Sequence, residues 1–387
     1  MAGMIVQEWI EQSGGAEQVL DALRIALPDS RVACLWNDDR DRFTPETVDE
    51  SWLARTPLRG RKALALPFMS GTWRRGWGEF EPEWVVTSSY VFAHHAGFGT
   101  RQGVPKFSYV HTPARYLWEP DLDARTAIPL AGLARQYLRG VDRRAAAWSG
   151  SLAANSGFVR ERIQHAWDRD ARVIHPPVDA VAIASVVDWA ERVSPGERDL
   201  LETLPDRGFL MAASRLVPYK RHDVAIRMGE ALGIPVVVAG SGPEHERLTA
   251  LADAADVPVH MLGRVSDELM RALFQRALAF VFPPVEDFGI IPVEAMAAGC
   301  PVIVNRVGGA SESVLDRLTG VHFDPDDAAG YAAAVDAASA VRRDAARARA
   351  LEFDTERFVR EVRDWVLGAE VQAEARSRPN SVASAAG

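Results

Sequence analysis

Residues 278–314 read "LAFVFPPVEDFGIIPVEAMAAGCPVIVNRVGGASESV". Two apolar, β-rich runs, "LAFVF" and "PVIVN", flank two prolines, a Glu-Asp pair, a glycine and a small-residue helical pattern. Strand, loop, helix and strand in so few residues form the crossover unit of a parallel sheet. With a helix beginning at about Ile291, Pro292 takes the first helical turn, where its missing N–H costs nothing. Glu294 is expected in that same first turn, while Glu286 stays in the loop at the strand's carboxyl end. The backbone amides of Asp287, Phe288, Gly289 and Ile290 then point into a crevice with the positive end of the helix dipole. Two carboxylates to accept hydrogen bonds from hydroxyls, and several N–H donors for anionic oxygens, suit a polyhydroxylated ligand carrying phosphate. Taken alone, the glutamates are equally well read as a helix cap and a solvated loop residue.

The same rhythm extends in both directions. "GFLMAAS", "IPVVVAG", "VPVHML" and "GVHF" are further short strands of the second half. In the first half, "MIVQEWI", "RVACLWN", "WVVTSSYVF", "KFSYVH", "SLAAN" and "RVIHPP" read as strands, each followed by a helix or turn. A charged, turn-rich stretch between Pro177 and Arg207, including "SPGERDLLETLPDRG", is the best linker candidate. The reading is α/β: an N-terminal Rossmann-like domain over 1–177 and a C-terminal one over 178–354, facing each other across a cleft. An amphipathic helix over 355–367, with Phe358, Val359, Val362 and Val366 on one face, is expected to pack back onto the first domain. Residues 369–387, small and polar, are expected to be disordered.

Composition narrows the function. The chain has 387 residues, 48% hydrophobic and 25% charged, enough for two cores. A formal net charge of −9 argues against non-specific nucleic-acid binding. Cys34 and Cys300, the only cysteines, sit in apolar surroundings and read as reduced thiols of a cytoplasmic protein. The N-terminus lacks a basic segment followed by a long apolar run, and no stretch reaches the ~18 apolar residues that span a bilayer.

Other segments supply matching chemistry. "AASRLVPYKRHD" places Arg215 just past a strand end and Lys220 near a helix start, a pair suited to a diphosphate when both converge on one crevice. In "VAGSGPEHERL", Gly240 and Gly242 permit a tight turn and close backbone approach to a ligand. "VGGASESV" sets Gly308 and Gly309 at another strand–helix junction, with Glu312 in the first turn. "SGGAEQVL" places Gly14 and Gly15 before a helix whose N-terminal amides could meet the same diphosphate. It is not the GxGxxG fingerprint, which disfavours a dinucleotide-dependent dehydrogenase.

Together these residues resemble the retaining nucleotide-sugar glycosyltransferases of the GT-B fold, specifically glycosyltransferase family 4. The resemblance runs from "SGGAEQVL" through "SYVHTPARYLW", "AANSGFVRERI", "VIHPPVD" and "SRLVPYKRHD" to the Glu-x7-Glu stretch, and is similar to bacterial mannosyl-type transferases of surface polysaccharides. It implies that Glu286 accepts hydrogen bonds from donor-sugar hydroxyls, with the amides from Asp287 to Ile290 alongside, and that Glu294 holds the ribose. Arg215 and Lys220, helped by Gly14 and Gly15, would neutralise the departing diphosphate, and His111 would reach the reacting centre. No cofactor and no metal are implied, the cations doing the work of an ion. The competing scheme uses an Asp-x-Asp pair and a divalent ion; Asp39/Asp41, Asp121/Asp123 and Asp168/Asp170 have that spacing.

The expected function is transfer of a hexosyl group, mannosyl being one candidate, from a nucleotide-diphosphate sugar to a hydroxyl acceptor: a glycan, a lipid-linked glycan or a small molecule. The alternatives are a nucleotide-sugar epimerase or pseudo-glycosyl coupling enzyme of the same fold, and a non-catalytic sugar-nucleotide-binding subunit. Ten of the eleven tryptophans precede residue 190. "RTPLRGRKALALPFMSGTWRRGWGEF" (55–80) mixes cations with Trp73 and Trp77 and, with Arg115, is the expected acceptor region. Three readings of it stand open: a sugar-stacking platform, a peripheral contact with anionic lipid at the inner membrane surface, or a loop tucking its tryptophans into the core.

Overall fold

All paired strands run parallel, which requires a crossover after each and buries the strands on both faces. The computed structural model describes residues 2–74, 80–97, 103–119, 132–205 and 208–377. The packing divides the chain into two units.

The first unit comprises 1–155, 159–177 and 356–387. Its strands are β1 (Gly3–Gln7), β2 (Ser30–Cys34), β3 (Val48–Glu50), β4 (Val85–Ser89), β5 (Lys106–Val110), β6 (Ser151–Ala154) and β7 (Arg172–Val173), in the order β3-β2-β1-β4-β5-β6-β7. Side-chain alternation sends Met4 and Val6 to one apolar layer and Ile5 to the other. The helix Thr355–Ser377 buries Phe358, Val359, Val362, Trp365 and Val366 in the layer that holds Ile5, so it completes this unit's core. Its backbone runs on to Ser377; residues 378–387 lie outside the described residues.

The second unit, 156–158 and 178–355, holds β8 (Leu210–Ala213), β9 (Val236–Ala239), β10 (Val259–Gly263), β11 (Ala279–Phe282), β12 (Val302–Asn305) and β13 (Gly320–Phe323), in the order β10-β9-β8-β11-β12-β13. Met211, Phe280, Phe282 and Val304 face one layer, and Leu210, Val281 and Ile303 the other. The stretch read as a linker is instead folded: helices Ala180–Ser185 and Pro195–Thr203 bury Ile183 and Leu201 against the sheet. The charges of the second of these helices lie on its outer face, which is why composition alone reads as a loop.

Strand order reverses direction between β8 and β11. At such a switch point the two flanking loops diverge to opposite faces and leave room for a ligand at the carboxyl ends. Arg215 and Lys220 follow β8, and Glu286 follows β11.

Candidate functional site

On leaving β8 the chain turns through a short 3-10 segment, Pro218–Lys220, and Arg221 takes the left-handed conformation (φ 53°) before helix His222–Leu232. Ser214 Oγ and His222 Nε2 lie 3.0 Å apart, tying the two ends of this loop. The glycines after β9 pack closely on their own chain. A Cβ on Gly240 would lie 1.9 Å from the Ser214 carbonyl oxygen, and one on Gly242 would lie 2.3 Å from that of Leu216. They let their turn lie against the 214–216 backbone, so the close approach is to the chain itself.

After β11, Pro283 and Pro284 are buried, and Asn305 Nδ2 donates to the Pro283 carbonyl at 2.8 Å. Gly289 (φ 88°) reverses the chain into helix Ile290–Ala297; a side chain there is disfavoured by the backbone and by Ala310 Cβ at 3.1 Å. Because the helix starts at Ile290, Glu294 is its fifth residue, which corrects its expected place in the first turn. Phe288 packs its ring into the core, leaving only its backbone to meet a ligand.

Lys220 and Glu286 meet here. Lys220 Nζ stands 2.7 Å from Glu286 Oε1, with the side chains 12% and 15% exposed. Lys220 Nζ also lies 5.4 Å from the Phe282 ring centroid, so apolar walls strengthen the pair's field. Arg215 is exposed nearby in sequence. Burial pushes the Glu294 carboxyl up to about 7, against the pull of Arg271.

In the first unit, Gly14 precedes helix Gly15–Ala26 and its carbonyl accepts from the Gln18 amide at 3.1 Å. Glu17 folds back so that its Oε1 accepts from the Glu11 amide at 3.1 Å, closing the glycine turn. His111 follows β5, with Nε2 2.8 Å from Ser88 Oγ and its ring against Tyr109 and Tyr90. Burial lowers its pKa to about 4, so the imidazole is neutral at pH 7. Arg115 opens the one-turn helix Arg115–Trp118. Trp73 is fully buried in the core, which corrects its reading as an acceptor-stacking surface: it ends helix Lys62–Trp73 on the inward face. Trp77 lies outside the described residues, as do Asp121 and Asp123. Asp39 and Asp170 are each paired with an arginine, Arg42 and Arg160.

Two buried acids escaped the sequence reading. Glu8, just past β1, accepts with Oε1 from the amides of Tyr90, Val91, Phe92 and Ala93 at 2.8–3.1 Å. Burial outweighs those amides and pushes its pKa up to about 7. Asp142 Oδ1 lies 3.1 and 3.0 Å from His94 Nε2 and His95 Nε2, while its Oδ2 accepts from the indoles of Trp118 and Trp167 at 2.8 and 2.7 Å. Burial would raise this carboxyl, but the histidine contacts win and hold it well below the usual carboxylate range. His94, His95 and Asp142 are residue types that ligate transition metals. Four N–H donors already satisfy the carboxylate, so the cluster is balanced as a buried hydrogen-bonded anion.

Comparison with known proteins matches both halves. Residues 13–181 match the profile described as Glycosyltransferase Family 4, and residues 197–350 match Glycosyl transferases group 1. A D-inositol 3-phosphate glycosyltransferase of Streptomyces scabiei is 30% identical over 278 residues, 64% of this chain and 58% of that protein. A GDP-mannose-dependent alpha-(1-6)-phosphatidylinositol monomannoside mannosyltransferase of Mycolicibacterium smegmatis is 34% identical over 198 residues, 46% and 50% of the two chains. The chain spans about half the length of the curated relatives it matches. Among solved structures, Anabaena HepE in complex with UDP-glucose superposes with a TM-score of 0.69 at 18% identity, over 97% of this chain and 100% of that one. The chain thus has the GT-B fold, two Rossmann-like units, and its two halves are similar to Glycosyltransferase Family 4 and Glycosyl transferases group 1.

Proposed function

We propose that the protein transfers a hexosyl group, with mannosyl the first candidate, from a nucleotide-diphosphate sugar to a hydroxyl acceptor, with retention of anomeric configuration and without a metal ion. The observation that carries this reading is the Lys220–Glu286 pair at the β8/β11 switch point, beside the N-terminus of helix Ile290–Ala297. Cleaving the bond from the anomeric carbon to phosphate oxygen leaves negative charge on the diphosphate and positive charge on the sugar ring. Lys220 and Arg215 would take the first, with the helix N-terminal amides and the Gly14–Gly15 turn as further donors. Glu286, released from Lys220 as phosphate takes the ammonium, would hold the sugar hydroxyls, and Glu294 the ribose. The neutral imidazole of His111 would hydrogen-bond near the reacting carbon. The relatives' printed activities on a mannosyl donor and on an inositol phosphate support this class.

The acceptor is assigned to the first unit. Trp52, Leu64 and Phe68 are 46%, 58% and 47% exposed, with the Trp52 and Phe68 rings edge to face at 6.2 Å. Residues 51–74 carry five cationic residues and no acidic one, in a chain of net charge −9, with Arg59 paired to Asp38 and Glu50 and Lys62 to Glu11. Such a face suits peripheral contact with an anionic bilayer carrying a lipid-linked acceptor. Among the described residues no helix is long and apolar enough to cross a membrane.

A screen of GDP-mannose, UDP-glucose, UDP-GlcNAc and dTDP-sugars, with and without EDTA, tests the reading by release of nucleoside diphosphate and by the anomer of the product. One donor turned over in EDTA, with an axial donor giving an axial product, is the expected result. A product released without transfer to a hydroxyl, an inverted anomer, or a strict metal requirement contradicts it.

A further inference from the structure

The loop that carries Glu286 is held from outside its own sheet. Residues Ser156, Gly157 and Phe158 pack with the second unit although the chain on both sides belongs to the first. Ser156, fully buried, donates its hydroxyl to the Asp287 carbonyl at 2.5 Å. The tripeptide is in turn gripped by Glu312, whose two carboxylate oxygens accept from the Gly157 and Phe158 amides at 2.7 and 2.6 Å. Gly157 leaves room for that carboxylate, since a Cβ would stand 3.2 and 3.3 Å from its oxygens. Arg349 fixes the Glu312 backbone by donating to the carbonyls of Glu312 and Ser313 at 2.9 and 3.0 Å.

A trans peptide points its C=O and its N–H in opposite directions. Ser156, by holding the Asp287 carbonyl, therefore sets the direction of the Phe288 N–H. Gly309, whose N–H donates to the Glu286 carbonyl at 2.7 Å, does the same for the Asp287 N–H. Two consecutive amides next to Glu286 are thus oriented before any ligand arrives.

We propose that Ser156 and Glu312 are positioning residues for the Glu286 loop: Glu312 seats the Ser156–Phe158 tripeptide, and Ser156 fixes the peptide plane between Asp287 and Phe288. The catalytic consequence rests on the proposed glycosyl-transfer reading; the structural link does not. Acting in series, the two should be non-additive in a double-mutant cycle.

The test uses Ser156→Ala, Glu312→Gln and the double variant of the full chain. Amide hydrogen exchange of the unliganded protein should rise about tenfold or more at residues 286–288, with helix Ile290–Ala297 unchanged and the double variant no worse than the weaker single. With the preferred donor, kcat should fall about tenfold while nucleoside diphosphate affinity moves less than about twofold. Unchanged exchange in both single variants overturns the proposal. So does exchange raised throughout the second unit with kcat and diphosphate affinity lost together, which marks a general stability role. Should the wild type turn over no sugar nucleotide, the functional reading falls while the exchange arm still decides the positioning role.

Discussion

Lys220 Nζ lies 2.7 Å from Glu286 Oε1, and the two side chains come from the loops after β8 and β11, the strands between which the sheet order reverses. A cation and an anion thus neutralise each other in a largely desolvated corner. Neither charge is left uncompensated; under the proposed reading a phosphorylated sugar would take over both partners.

Removing the cation exposes this balance. Lys220→Ala leaves the largely buried Glu286 carboxylate without its counter-charge, which should cost about 1–3 kcal/mol of stability. Donor affinity and kcat should both fall, by about tenfold or more each. Thermal unfolding and steady-state kinetics check the pair of effects; loss of kcat with full donor affinity would place Lys220 away from the diphosphate.

Glu294 supplies a pH signature. Its pKa is raised by burial from 4.5 to about 7, so the folded chain keeps the proton that the unfolded chain releases. Its contribution to stability is therefore full below about 4.5 and is lost as pH rises through about 7. Binding runs the other way: a ribose hydroxyl is best received by the ionised carboxylate, so nucleotide affinity should rise across pH 6–8, a range set by that pKa of about 7. Calorimetric titration of wild type against Glu294→Gln isolates this from the nucleotide's own titration. Identical pH profiles would remove Glu294 from the ribose.

The exposed aromatic face of the first unit makes a separate prediction. Leu64→Ser with Phe68→Ser should cut co-sedimentation with anionic vesicles about tenfold, consistent with burial of two large apolar side chains. Soluble-donor hydrolysis should stay unchanged. Equal vesicle binding by variant and wild type, or none by either, rejects the membrane contact.

Alternation of apolar runs with helical windows made twelve of the thirteen strands among the described residues legible, because parallel strands covered on both faces are short, apolar and bounded by turns. The missed strand, β3, reads "VDE" and lies at the sheet's edge, where one side needs no apolar partner. Trp73 follows the third of the readings left open, burial in the core; the sequence could not choose among them because a helix's inward face is set by its neighbours rather than by its own sequence. Glu286 and Lys220 were legible from their places after strand ends, but not their pairing. Glu8 and Asp142 were not legible at all. The amides that hold Glu8 are 82 to 85 residues away, and such distant partners leave no local pattern.

The most direct measurement is Glu286→Gln, with donor turnover and nucleoside diphosphate affinity determined on the same preparation. Because the carboxylate is assigned to the sugar and not to the diphosphate, turnover should fall by about a hundredfold or more while diphosphate affinity changes less than about threefold. Turnover at the wild-type rate, or equal loss of both, would contradict the account.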